Sequence, residues 1–222
     1  MGVLMKIFKK FLIILLLLIL YVLTSAFSYS NTVSTDISNN IFRLHIVANS
    51  NSAEDQNLKY LVRDELIKYM NSICKNISSK EEAIKLAQEN KNNFYNIAKK
   101  TTLDNGFNYD IKIDIGNFSF PTKTYGDISL PAGFYDALKV ELGNSSGQNW
   151  WCVMFPSLCF VDVSNGIVPK ESKENLQNNI KEENYNLISS NTFEFKLKFK
   201  LVELFENAKI IMANKDYNSP LF

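Results

Sequence analysis

His45 is the only imidazole in the chain, so any nucleophile–base mechanism that relies on histidine must run through it. Arg43 precedes it by two positions, and Asn49, Ser50, Asp55, Gln56, Arg63 and Asp64 follow closely. This density of polar groups offers two chemistries. One is acid–base work by the imidazole, which needs a nucleophile or substrate within reach, and the sequence names none. The other is recognition, in which a guanidinium, carboxylates and amides grip a partner or else brace their own turn. Arg43, His45, Asn49, Ser50, Asp55, Gln56, Arg63 and Asp64 are therefore read as partner-binding candidates, and no residue is assigned a catalytic role.

A second constellation is NWWCVMFPSLCFV, Asn149 to Val161. In a strand, Trp150 and Trp151 point to opposite faces, so one can fill the core while the other anchors a partner. Cys152 and Cys159 on one helix or one strand would sit roughly 10 or 23 Å apart, too far for a disulfide. A hairpin with Phe155-Pro156 at its tip places them opposite each other. Two states stay open, a disulfide or a pair of buried reduced thiols acting as small hydrophobes. Cys74 has no obvious partner. With three cysteines and one histidine there is neither a zinc-like ligand set nor a C-x-x-C pair, so no metal and no cofactor are expected. Asp110, Asp114, Asp127 and Asp136 have the spacing of ordinary solvent-facing strand residues.

These residues need elements to position them. Phe42, Leu44, Ile46 and Ala48 alternate with Ile41, Arg43, His45 and Val47, a strand that puts Arg43 and His45 on one face. Asn49 to Ser52 reads as a turn, with Asn51 and Glu54 or Ser52 and Asp55 as a helix cap and its return partner. Leu58, Leu61, Val62, Leu66, Met70 and Ile73 then form one helical stripe, with Asp64 and Lys68 as an i, i+4 pair. A second helix is predicted from Ser78 or Ser79 to Asp104, making a helical hairpin. From Tyr109 the period becomes two, and strands follow through Thr124, over Leu138 to Leu142, and across the tryptophans. Residues 163–191 are polar and read as a solvated helix or a mobile insertion. Phe193, Phe195, Leu197 and Phe199 alternate as a last strand that runs into a terminal helix ending near Asn214, with 215–222 frayed. No internal repeat or heptad pattern stands out. The expectation is one α+β domain over 41–214: an N-terminal strand, a two-helix hairpin, a mainly antiparallel sheet and a C-terminal helix.

Before it, Lys6, Lys9 and Lys10 lead into the apolar run Phe11 to Leu23 and the small residues Thr24-Ser25-Ala26. Residues 1–26 read as a signal peptide or membrane anchor, and 27–40 as a polar linker. Lysine plus arginine, 24, nearly cancels aspartate plus glutamate, 23, so no global field favours nucleic acid. The membrane is met only through the leader.

The segment RLHIVANSNSAEDQNLKYLVRD, Arg43 to Asp64, combines with LPAGFY at Leu130 to Tyr135 and NWWCVMFPSLCFVD at Asn149 to Asp162. Together they resemble the stage II sporulation protein R family of endospore-forming bacteria. Arg43, His45, Ala48, Asn49, Ser50, Ser52, Asp55, Gln56, Leu58, Lys59, Val62, Arg63 and Asp64 match its first motif. Asn51 stands where Asp is commoner, and Ser157 where a second proline is frequent. The resemblance implies a protein made in the forespore and exported into the space between forespore and mother-cell membranes. There it would activate a membrane aspartic protease of the mother cell by binding its extracytoplasmic part, leading to processing of pro-sigma-E. An exported envelope hydrolase using His45 or a carboxylate, and an envelope interaction protein without signalling duty, are the alternatives.

Overall fold

The computed structural model describes residues 2–74, 77–156, 168, 170–189 and 192–218. Helix α1, Gly2–Asn39, is followed by β1, Phe42–Val47, and α2, Ala53–Ile73. Then come α3, Lys80–Glu89, α4, Lys91–Asp104, and the strands β2, Ile111–Phe120, β3, Lys123–Tyr125, β4, Ile128–Leu130, β5, Gly133–Leu142, and β6, Asn149–Phe155. Among the described residues three helices follow: α5, Lys170–Asn179, α6, Glu182–Ser189, and α7, Phe193–Asn218.

The main sheet has the order β2-β5-β1-β6, and β3-β4 is a separate two-stranded ribbon. Strand β1 pairs in parallel with β5 and antiparallel with β6, while β2 and β5 are antiparallel, so the architecture is α+β with a mainly antiparallel sheet. An inner position covered on both faces explains why every residue of β1 is buried, including Arg43 and His45. Phe42, Leu44 and Ile46 share a core with Leu58, Val62, Leu66, Phe94, Val140 and Leu142. Tyr69 stands edge-on to Phe94, with centroids 5.1 Å apart, and joins α2 to α4.

Helix α2 starts where the sequence places it. Ser52 is its N-cap, accepting from the Asp55 amide at 3.2 Å. The carboxylate of Asp55 does not return to Ser52, whose amide donates to Ser50 Oγ at 3.1 Å instead. On the wet side Asp64 takes Arg63 at 2.7 Å and Lys68 lies 3.6 Å from Glu65, so the ion pairing differs from the expected Asp64–Lys68 spacing. The second helix of the expected hairpin is broken in two at Asn90. That side chain turns back to Leu86 O at 2.9 Å and also accepts from the Tyr69 hydroxyl at 2.7 Å, an Asn-driven interruption that a hydrophobic stripe cannot reveal.

Three further expectations are corrected. Residues 27–39 are not a linker but the end of α1: Ser30, Val33 and Ile37 recur at helical spacing and are buried, while the Thr32 and Ser38 hydroxyls bond helix carbonyls. The polar stretch 163–191 keeps its helical reading, as α5 and α6, but is not a solvated surface or a mobile insertion there: Leu176, Leu187 and Ile188 lie in the core and Asn184 donates to Asp36 at 2.6 Å. Its residues 163–167, 169, 190 and 191 lie outside the described residues. The strand expected over Phe193 to Phe199 is the first part of α7. A four-residue alternation yields there to the longer helical period of Phe199, Val202 and Glu206, which faces α1 and β5 instead of a sheet edge. Helical backbone continues through Asn218, and 219–222 are outside the described residues.

Candidate functional site

The strand–turn–helix motif brings its polar side chains together, but mostly with one another. Asp55 is buried, and its carboxylate accepts from Asn49 Nδ2 at 2.9 Å, Ser50 Oγ at 2.5 Å and the Tyr109 hydroxyl at 2.8 Å. Burial alone would raise its pKa, but these hydrogen bonds hold the group below the ordinary carboxylate value. Gln56 donates to Ser50 O at 2.7 Å and accepts from Lys59, which also reaches Gln148 O at 3.2 Å. Asn49 Oδ1 receives the Asn144 amide at 2.9 Å, and the Gly147 amide bonds Ala48 O at 2.9 Å. Asn49, Ser50, Asp55 and Gln56 thus latch the 143–148 loop and the start of α2 onto β1.

Gly147 marks how tight the latch is. A Cβ there would lie 2.1 Å from the Ser50 carbonyl oxygen, a backbone atom with little freedom to retreat. Gly147→Ala is expected to cost about 2–4 kcal/mol and to lower the melting temperature of the chain by roughly 5–10 °C. A thermal melt indistinguishable from the parent's would refute the latch.

Arg43 and His45 share a face of β1, as the alternation requires, and neither is open to solvent. Arg43 is 0 % exposed, with Nη2 donating to the Tyr125 hydroxyl at 2.8 Å and its guanidinium 4.1 Å over Phe120 and 4.8 Å from the Tyr135 ring centre. Among the described residues Nε and Nη1 have no hydrogen-bond partner, so the aromatic faces are its main company. Gly133 of the LPAGFY segment permits this packing: a Cβ there would meet the Tyr135 ring at 3.3 Å and Glu206 of α7 at 3.6 Å. His45 stacks on Trp151 with centroids 3.6 Å apart and bonds Asn149 Oδ1 through Nε2 at 2.7 Å. Burial pushes its pKa from 6.5 to about 4, which keeps the ring neutral near pH 7. Among the described residues no hydroxyl or thiol is hydrogen-bonded to it, so the geometry fits a scaffold histidine better than a general base.

Trp150 points to the opposite face. Its ring lies edge-on to Tyr60, with centroids 5.5 Å apart, and the Arg63 guanidinium sits 4.3 Å over it and 5.1 Å from Tyr60. Arg63 also holds Asp64 at 2.7 Å. Tyr60 is 36 % exposed and Trp150 half-buried, so the rim of α2 and β6 presents aromatic surface and a guanidinium held in place by stacking. These residue types carry most binding energy in protein interfaces. Sequence reasoning passed over Tyr60; its i, i+3 spacing to Arg63 on the face away from the α2 stripe is the signal that finds it.

Cys152 is disulfide-bonded, whereas its expected partner Cys159 lies outside the described residues. Cys74 is free, and burial pushes its thiol up to about 11, which makes it a poor nucleophile. Among the described residues no group of three or more His, Cys, Asp or Glu side chains could hold a metal ion. Helix α1 contains a stretch long and apolar enough to cross a membrane, with mean hydropathy 2.7, a property shared by signal sequences.

Fold and site together define an α+β domain, joined to an apolar N-terminal helix, with a rim of Tyr60, Arg63 and Trp150 where α2 meets β6. Residues 38–165 match the family model described as stage II sporulation protein R. The chain belongs to the stage II sporulation protein R family. It is 44% identical over 138 residues to the stage II sporulation protein R of Bacillus subtilis (strain 168), an alignment covering 62% of this chain and 62% of that relative's length. No solved structure matches. The matched region runs from the end of α1 past β6, and so contains the latch, the Arg43 cage and the Trp150 rim.

Proposed function

We propose that this chain is an exported signal of sporulation, made in the forespore and delivered into the space between the two membranes. There it binds the extracytoplasmic part of a membrane aspartic protease of the mother cell and favours its active state, leading to processing of pro-sigma-E. Family membership is the observation that carries this reading. The apolar α1 supports delivery across a bilayer, and the Tyr60–Arg63–Trp150 rim supplies a surface with the composition of a binding hot spot. A ligand shifts an equilibrium only by its differential affinity for the two states, so the rim has to engage the active receptor more tightly than the inactive one.

Sporulating cells that lack the chain are expected to accumulate unprocessed pro-sigma-E. Restoring the full chain should recover processing, whereas a version without residues 1–26 should not. Normal processing in the deletion strain, or full recovery with the leaderless version, would overturn the proposal.

A further inference from the structure

Strand β2 is one edge of the main sheet, ten residues long and paired without a bulge to β5 on its inner side. Among the described residues, no backbone or side-chain hydrogen bond reaches its outer side. A long regular edge with free donors and acceptors is a template for another strand, and natural edges are commonly blunted by proline, bulges or inward charges. Here Pro121 comes only after the strand has ended. The stretch Ile111-Lys112-Ile113-Asp114-Ile115 is, moreover, complementary to itself when reversed.

We propose that β2 pairs antiparallel with β2 of a second copy of this chain, with Ile113 on the two-fold axis. Lys112 of each copy then stands opposite Asp114 of the other, on the same face of the sheet. Ile111 stands opposite Ile115, and Ile113 opposite itself, so the apolar residues line up on the helix-covered face. The two four-stranded sheets join into one of eight strands, and the contact is isologous, as a two-fold dimer requires. Sliding one strand by two residues, the smallest shift that keeps the apolar faces aligned, would set Asp114 or Lys112 against itself, so the charge pattern selects this alignment.

Lys112 and Asp114 are free to take these roles. Lys112 is 68 % exposed and Asp114 42 %, and their present partners are surface contacts: each other at 3.2 Å, Glu141 at 3.3 Å from Lys112, and Lys91 at 3.9 Å from Asp114. Exchanging such pairs for equivalent ones across the axis costs little. Ile111 and Ile113 are already buried by α3 and α4, and half-buried Ile115 gains cover from its partner. With about five residues of each chain in the ladder, the interface is small, and the dimer is weak and concentration-dependent.

Charge reversal tests this without touching the core. The full-length chain in a nonionic detergent is analysed by sedimentation equilibrium, with solvent density matched to the detergent. A reversible monomer–dimer equilibrium is expected. Lys112→Asp and Asp114→Lys should each raise the dissociation constant about tenfold or more, because each puts like charges opposite one another twice. The double variant restores opposite signs and should return close to the parent value. Thermal melts of the three variants near that of the parent confirm that the monomer fold is intact. A chain that stays monomeric at every concentration overturns the proposal. So does a dimer that ignores the single reversals, or one that the double reversal does not rescue. A dimer abolished instead by Leu204→Glu, on the exposed side of α7, also overturns it and places the contact on that helix.

Discussion

Replacing Trp150 by alanine is expected to weaken binding to the proposed receptor about thirtyfold or more, the loss of roughly 2 kcal/mol that follows truncation of a central aromatic anchor. Trp150 is held upright by Tyr60 on one side and the Arg63 guanidinium 4.3 Å over its ring, so little conformational freedom remains to be lost on binding. Part of its ring packs against the core, and alanine will lower stability as well. Arg63→Glu separates the two effects, because it keeps the tryptophan and reverses the charge presented beside it. Full-length parent and variants can be compared by affinity for the receptor's extracytoplasmic part and by pro-sigma-E processing in sporulating cells. If Arg63→Glu and Trp150→Ala both bind and signal like the parent, the rim is not the contact surface.

The second large effect concerns pH. His45 is stacked between strands with its pKa pushed to about 4 by burial, below the ordinary 6.5. Folding therefore favours the neutral ring, and that contribution is fully present above about pH 6.5. As the pH falls from there the unfolded chain takes up a proton that the folded chain refuses, and the contribution is gone below about pH 4. The loss amounts to as much as about 3 kcal/mol. Carboxylates such as Asp55 and Asp136, held below their ordinary values, weaken the fold only at the acid end of this range. Melting temperatures of the full chain between about pH 7 and 4 should fall, and a His45→Gln variant, although less stable overall, should show a flatter profile over the same range. Parallel profiles for parent and variant would show that His45 does not stay neutral in the fold.

Much of this architecture is written in local patterns. The alternation through Arg43 and His45, the Ser52 cap of α2 and the two-residue period from Ile111 onward are decided by neighbours a few positions apart, and the fold keeps them. The parallel pairing of β1 with β5 joins segments distant in sequence and has no local signature. The same holds for residues 27–39, whose serines and threonines read as a linker until α6, α7 and β5 are there to cover Val33 and Ile37. The motif residues divide in a way composition could not reveal. Asn49, Ser50, Asp55 and Gln56 bond one another, with Asn49 and Lys59 reaching the 143–148 loop, Arg43 is enclosed by Phe120, Tyr125 and Tyr135, and Arg63, Asp64 and the Trp150 edge remain at the rim. Which tryptophan faces α2 followed from strand register, and β6 pairs Trp151 with His45 and Trp150 with Ile46.

The most direct test is reconstitution in a host that does not sporulate. Pro-sigma-E and the membrane aspartic protease are produced together, with or without this chain, residues 1–26 included. Cleavage that depends on the chain, and that falls when Arg63→Glu replaces the parent, is the predicted result. Equal cleavage in the presence and absence of the chain would contradict its role as the messenger.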